Sequence, residues 1–311
     1  MIRMHVFSVL KAAMPVGVVF GLFLSMTIKD VRELFVSGGS AIASIIAEPS
    51  PADPLVALRD GGPQIDREIA FFTNSGRAWM QRGLLRSTSY LPVIQEIFVK
   101  HGVPAELACI AFVESGFDNK ATSPVWAHGM WQFMPDTARA FGLRVDWAVD
   151  ERQDFWRASE AAAKYLAGLY AQFGDWLLAA AAYNAGQNYL KGRLEATGST
   201  SFWELVAKDA LWKETTHYVP RVLAAMRIFR DPARYGFTLE GAAEPWTVCR
   251  GRVSASTLAE AAILCGVPVS RLIELNPHLE RGIIPGGEGG YEMTLPHPGE
   301  FSEQNDRTGM S

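Results

Sequence analysis

Leu107-Ala108-Cys109-Ile110-Ala111-Phe112-Val113-Glu114-Ser115-Gly116-Phe117 holds the pattern from which the rest of the chain can be read. Leu107, Ile110 and Ala111 recur at three and four, the period of a helix with one buried face. Glu114 falls seven after Leu107 and four after Ile110, so that face also carries a carboxylate. Pro104 suits the first turn of this helix, Glu106 its positive end, and Gly116 its stop. A carboxylate on an apolar face is costly unless paired or used. Burial disfavours its charged form and raises its pKa, as a general acid near neutral pH requires. A carboxylate that caps a turn or pairs with Arg has the same spacing, so the helix alone leaves both roles open.

Outward from this stretch the helical period continues over about 64–230. Tyr90, Ile94, Ile97 and Phe98 make one apolar face before Gly102, and Asp175 is placed to cap a helix from Trp176 to Asn184, with Gly186 its stop. Between these helices Asp118 to Pro124 is polar and turn-prone, followed by Gly129-Met130-Trp131-Gln132-Phe133-Met134-Pro135. Cys109 beside Ile110 reads as a small core residue. The expected fold class is mainly α, with a second, smaller unit.

The second unit occupies 245–297. Trp246 to Cys249 reads as a strand and Ser256 to Leu264 as a helix ended by Gly266. Ser270 starts a second helix, and Tyr291 to Pro296 alternates as a closing strand. Cys249 and Cys265 can be a disulfide or two thiols. Residues 298–311 read as a disordered tail.

At the other end, Arg3 and Lys11 precede an uncharged run from Ala12 to Ile28, 17 residues long. Residues 1–29 therefore read as a signal anchor or a cleaved signal peptide, and either would export the chain. Residues 30–63, with Gly38-Gly39-Ser40 and a Pro-rich patch at 49–54, read as a linker. Lys and Arg number 29 against 33 Asp and Glu, a net charge of −4, which argues against nucleic acid as partner. No phosphate-binding glycine loop and no paired-histidine motif appears, so no cofactor and no metal is expected. His101, His128 and His217 are too scattered to propose as ligands.

Four blocks stand in order: Glu114-Ser115-Gly116-Phe117, Gly129-Met130-Trp131-Gln132, Ala182-Tyr183-Asn184-Ala185-Gly186 and Glu214-Thr215-Thr216-His217-Tyr218-Val219-Pro220. Together they resemble the Slt-type lytic transglycosylases, most closely the membrane-bound lytic murein transglycosylase D group. The resemblance implies a lysozyme-like helical domain over 64–235. It implies non-hydrolytic cleavage of the β-1,4 bond between N-acetylmuramic acid and N-acetylglucosamine, leaving 1,6-anhydro ends. Glu114 then corresponds to the catalytic acid, and Ser123 to a serine that positions substrate. Gln132 and Asn184 correspond to polar residues of the sugar groove, with Tyr183 in the same motif, and Tyr218 to a tyrosine near the acid. Asp150-Glu151-Arg152 looks like a signature of the subgroup. Val125 and Trp126 depart from it, since small residues are expected after Ser123-Pro124; Trp126 can narrow the groove, stack on a sugar, or pack on its own loop. Met130 stands where leucine is common. Residues 245–297 are similar to a LysM module, on Leu275-Asn276-Pro277, although Arg250-Gly251-Arg252-Val253 replaces the usual start.

The implied partners are peptidoglycan glycan strands, and the membrane through the N-terminal segment, for a periplasmic monomer. Two alternatives keep the fold and change the function. A hydrolytic lysozyme would need a second carboxylate, with Asp118, Asp136, Asp146 and Asp150 available, although Asp136 reads as a helix-start residue and Asp118 as a turn residue. A wall-binding protein would keep the groove without turnover.

Overall fold

The computed structural model describes residues 62–242 and 248–296. The expected anchor, most of the linker and the tail lie outside them. Eleven α-helices and two strands are found among the described residues.

The first nine helices surround one apolar core. Helices α1 (Gly62–Thr73) and α2 (Arg77–Lys100) lead in; a 3₁₀ turn at Ala105–Ala108 then precedes the short α3 (Cys109–Ser115). The single helix expected from Pro104 is thus split, and Cys109 opens α3 as a fully packed residue rather than lying mid-helix. Gly116 ends α3 in the left-handed conformation at φ 65°, as its lack of a Cβ allows. Gly83 lets α2 approach α3: a Cβ there would stand 2.4 Å from the Phe112 ring. After α4 (Pro135–Ala140) comes α5 (Phe155–Phe173), capped by Asp154, which accepts from the Trp156 and Arg157 amides. Asp175 caps α6 (Trp176–Ala185) by accepting from the Leu178 amide, as expected. Every residue of α6 from Trp176 to Ala182 is buried, so α6 is an axial helix, apolar on all sides. Helices α7 (Gln187–Thr197) and α8 (Phe202–Ala207) follow, and α9 (Lys213–Arg230) returns through the middle, against α1, α3 and α6. That return brings residues about a hundred positions apart onto one site.

The small unit pairs β1 (Val248–Val253) with β2 (Tyr291–Pro296) antiparallel, from Val248 opposite Pro296 to Val253 opposite Tyr291. Helices α10 (Leu258–Cys265) and α11 (Val269–Leu275) lie between them in the chain. The first strand runs on past Cys249, where it was expected to stop, and includes Arg250-Gly251-Arg252; Trp246 and Thr247 lie outside the described residues. These charges can stand in a strand because Arg250 is paired with Asp154 and Glu292. Asn276 is fully buried, donates to the Leu272 and Thr294 carbonyls and accepts from the Thr294 amide, so Leu275-Asn276-Pro277 ties α11 to β2. Cys249 and Cys265 are free thiols. A second apolar cluster fills this unit and takes in Ala148 and Val149 from the larger one. Among the described residues no helix is long and apolar enough to cross a membrane.

Candidate active site

Glu114 occupies the last turn of α3, where the apolar stripe places it. Its carboxyl is enclosed, while the residue as a whole keeps part of its surface open. Tyr218, on α9, is buried, and its hydroxyl donates to Glu114 Oε1 at 2.6 Å. Burial raises the Glu114 pKa from the ordinary 4.5 to about 7; the Tyr218 hydrogen bond pulls it down, and the charge of Glu214 pushes it up. Tyr218 and Tyr183 are themselves held well above the usual phenol range, by burial first and by the charge of Glu114 second. Both phenols therefore stay protonated and act as donors.

Tyr183 donates to the Trp131 carbonyl at 2.8 Å. Asn184 follows it on α6, donates to Glu214 Oε1 at 3.2 Å and accepts from the Thr215 hydroxyl at 2.9 Å. Those two bonds fix which way its amide points. Glu114, Tyr183, Asn184 and Tyr218 are thus gathered where α3, α6 and α9 meet.

Ser123 and Gln132 stand instead in the loop that follows α3. Ser123 Oγ accepts from the Val125 and Ala127 amides, and Gln132 Nε2 donates to the Ala121 and Gly129 carbonyls. Both spend hydrogen bonds on holding the loop, and neither is bonded to Glu114. The loop is pinned beside the acid: Ser115 Oγ accepts from the Asp118 amide and donates to the Met130 carbonyl. Further out, bridges pair Thr122 with His128 and His128 with Phe133. Gly129 is irreplaceable on geometry, since at φ 78° a Cβ would stand 1.9 Å from the Arg152 carbonyl oxygen.

The Asp150-Glu151-Arg152 segment has a physical task here. Arg152 is buried, donates to the Trp126 and Phe133 carbonyls, and grips Asp150 through Nε and Nη2. His128 meets the same Asp150 at 3.0 Å. Burial pushes the Asp150 carboxyl up, and the His128 and Arg152 bonds outweigh it, holding it well below the usual range. The other candidate second carboxylates also have local duties. Asp118 accepts from the Lys120 amide and faces Arg86; Asp136 pairs with Arg139; Asp146 accepts from the amides of Ala148 and Val149.

Two groups escaped the sequence reading. Glu214 lies inside a quoted block, yet nothing in its spacing marked it as an electrostatic neighbour of Glu114. Glu68, on α1, is buried, and its carboxylate takes bonds from His217 Nδ1 and Arg221 Nε, both at 2.9 Å, anchoring α9 to α1 through residues that flank Tyr218 in sequence. Its partners lie about 150 residues away, so no local pattern could announce it. Among the described residues no cluster suited to a metal ion is found.

Residues 93–206 match the family described as Transglycosylase SLT domain. The chain is 34% identical over 249 residues to membrane-bound lytic murein transglycosylase D of Escherichia coli K12, across 77% of this chain and 54% of that protein. It is 46% identical over 96 residues to peptidoglycan transglycosylase gp16 of Escherichia phage T7, across 30% of this chain and 7% of that one. The crystal structure of the 70 kDa soluble lytic transglycosylase from Escherichia coli aligns at 26% identity and TM-score 0.38, covering 48% of this chain and 25% of that chain. The chain spans about half the length of the first of these relatives.

Proposed function

From a chain whose residues 93–206 belong to the transglycosylase SLT domain family, we propose a lytic transglycosylase that cleaves peptidoglycan between N-acetylmuramic acid and N-acetylglucosamine without using water. The observation that carries the proposal is the enclosed Glu114 carboxyl, with its pKa raised to about 7 and Tyr218 at 2.6 Å. A carboxylic acid of that pKa keeps its proton near neutrality and is still acidic enough to give it up.

Glu114 protonates the glycosidic oxygen as the bond to C1 breaks and an oxocarbenium-like centre develops. The carboxylate left behind is stabilised by the Tyr218 hydroxyl. It takes the proton of the sugar's own C6 hydroxyl while that oxygen closes on C1. The proton lent to the leaving group is thereby recovered, and a 1,6-anhydro ring is the product. One carboxyl suffices. The duties of Asp118, Asp136, Asp146 and Asp150 support this over hydrolysis, which needs a second carboxylate with room for water. Ser123, Gln132, Tyr183 and Asn184 are proposed to line the groove that holds the glycan.

The proposal extends to export. Residues 1–29 act as anchor or signal peptide, placing a monomer in the periplasm, and the 245–297 module contributes LysM-like wall contact; fractionation of cells expressing the tagged full chain checks the first point. The reaction is tested by digesting purified peptidoglycan with the full chain and weighing the products. Ends of 1,6-anhydro-N-acetylmuramic acid are expected. Reducing ends, heavier by one water, would replace the proposal with hydrolysis, and retained wall binding without product would replace it with a non-catalytic role.

A further inference from the structure

Four non-glycine residues among the described ones have positive φ: Phe117, Trp126, Gln132 and Asp209. For a bulky side chain this is an unfavourable backbone state, and it persists only where something else repays it. Three are explained inside the molecule. Phe117 is 1% exposed in the core, Gln132 bonds two carbonyls of its loop, and Asp is one of the residues that tolerate this conformation.

Trp126 has no such return. Its φ is 67° and it is 74% exposed, so it does not pack on its own loop. The other exposed tryptophans have partners: Trp212 lies stacked on Tyr189 at 3.8 Å, and Arg281 covers Trp147 at 5.8 Å. Among the described residues Trp126 has neither a ring nor a cation against it. Yet its backbone is held firmly. Its amide donates to the Ser123 carbonyl, Ser123 closes the turn onto Ala127, and the buried Arg152 donates to its carbonyl at 2.7 Å. The same guanidinium holds Phe133, next to Gln132, so the tip is fixed relative to the loop base pinned beside Glu114.

We propose that Trp126 is a carbohydrate-stacking residue that grips the glycan strand outside the bond-breaking centre. The proposal rests on the reading of this groove as a glycan site. An indole open to solvent on a fixed backbone offers a flat apolar face with only two side-chain torsions to order, and the C–H face of a pyranose ring matches it. Glycine at this position would suit the backbone better. The choice of Trp therefore costs the fold and returns nothing within it.

This separates binding from stability. Trp126→Gly and Trp126→Phe are made in the full chain, and turnover is measured on intact peptidoglycan and on peptide-free glycan strands. Binding of the peptide-free strands is measured separately in a Glu114→Gln background. For Trp126→Gly the expectation is a KM raised about tenfold on both substrates, kcat within twofold, binding weakened about tenfold, and a Tm equal or higher. Trp126→Phe restores most of the affinity. Unchanged KM and unchanged strand binding in Trp126→Gly overturn the proposal, and so does a loss confined to peptide-bearing substrate, which assigns Trp126 to the stem peptide. If the unmodified chain releases no anhydro product, the proposed reaction fails on its own. Strand binding then decides Trp126: a tenfold loss upholds it and equal binding rejects it.

Discussion

Replacing Glu114 with Gln removes the proton that the proposed reaction lends, and it also perturbs stability in a direction that runs against intuition. The side chain keeps its shape and still accepts from Tyr218. In the native protein the acid holds its proton up to about pH 7, whereas the unfolded chain releases it near 4.5. Between those values the folded state binds more protons, so stability falls as pH rises through the window, and the loss is complete above about pH 7. At about 1.4 kcal/mol per pKa unit the penalty comes to about 3 kcal/mol, or about 2 kcal/mol after allowing for the part of the side chain open to solvent. Gln carries no such penalty. Glu114→Gln is therefore expected to be inactive, similar to the parent in stability at pH 4, and about 2–3 kcal/mol more stable at pH 8. Urea titrations of both proteins at the two pH values read this directly, as a midpoint shift on the order of 1 M at pH 8 only. All other titrating groups are common to both proteins and cancel in the difference. Parallel stability over pH 4–8 would refute the raised pKa and with it the acid role built on it.

Other expectations follow from single contacts. Tyr218→Phe removes a donor that favours the charged form of Glu114, so the alkaline limb of kcat/KM moves up by about one pH unit and kcat falls about tenfold; a limb that stays in place makes Tyr218 structural. Gly129→Ala drives a Cβ into the Arg152 carbonyl at positive φ and is expected to cost about 3 kcal/mol or more, seen as a lowered Tm. Arg250→Met strips one of the cations from the buried Asp154, and faster amide exchange in β1, β2 and the first turn of α5 is the expected sign.

The helices were legible because burial leaves a period in the sequence. The Asp175 cap, the Gly116 and Gly186 stops and the face carrying Glu114 all follow from that period and from local backbone chemistry. Tyr218 entered through a recurring block, and the structure adds that α9 runs back past α3 to deliver its hydroxyl. What could not be read is what depends on distant partners. Arg250 lies beyond the strand expected to end at Cys249, and its place within β1 depends on pairing with Asp154 and Glu292. Ser123 and Gln132 read as groove residues, and their hydrogen bonds turn out to be spent on the loop itself. Glu68 looks like an ordinary helical carboxylate until His217 and Arg221 arrive from the far end of the domain.

Residues 150–157 serve both units at once. Arg152 fastens the loop beside the acid, while Asp154, Glu151 and Arg157 receive Arg250, Tyr291 and Glu292 from the small unit. His278 is sealed in the same seam, its pKa lowered to about 4 by burial, and its carbonyl accepts from the Asp150 amide. The chain is accordingly a poor subject for modular engineering. Trimming it at residue 242 would strand Asp154 without Arg250 and leave the seam open to water. Grafting a foreign module there would require the new partner to reproduce a cation, a phenol and a neutral imidazole in register. Evolutionary shuffling faces the same lock, and it can be opened only by changing both faces together.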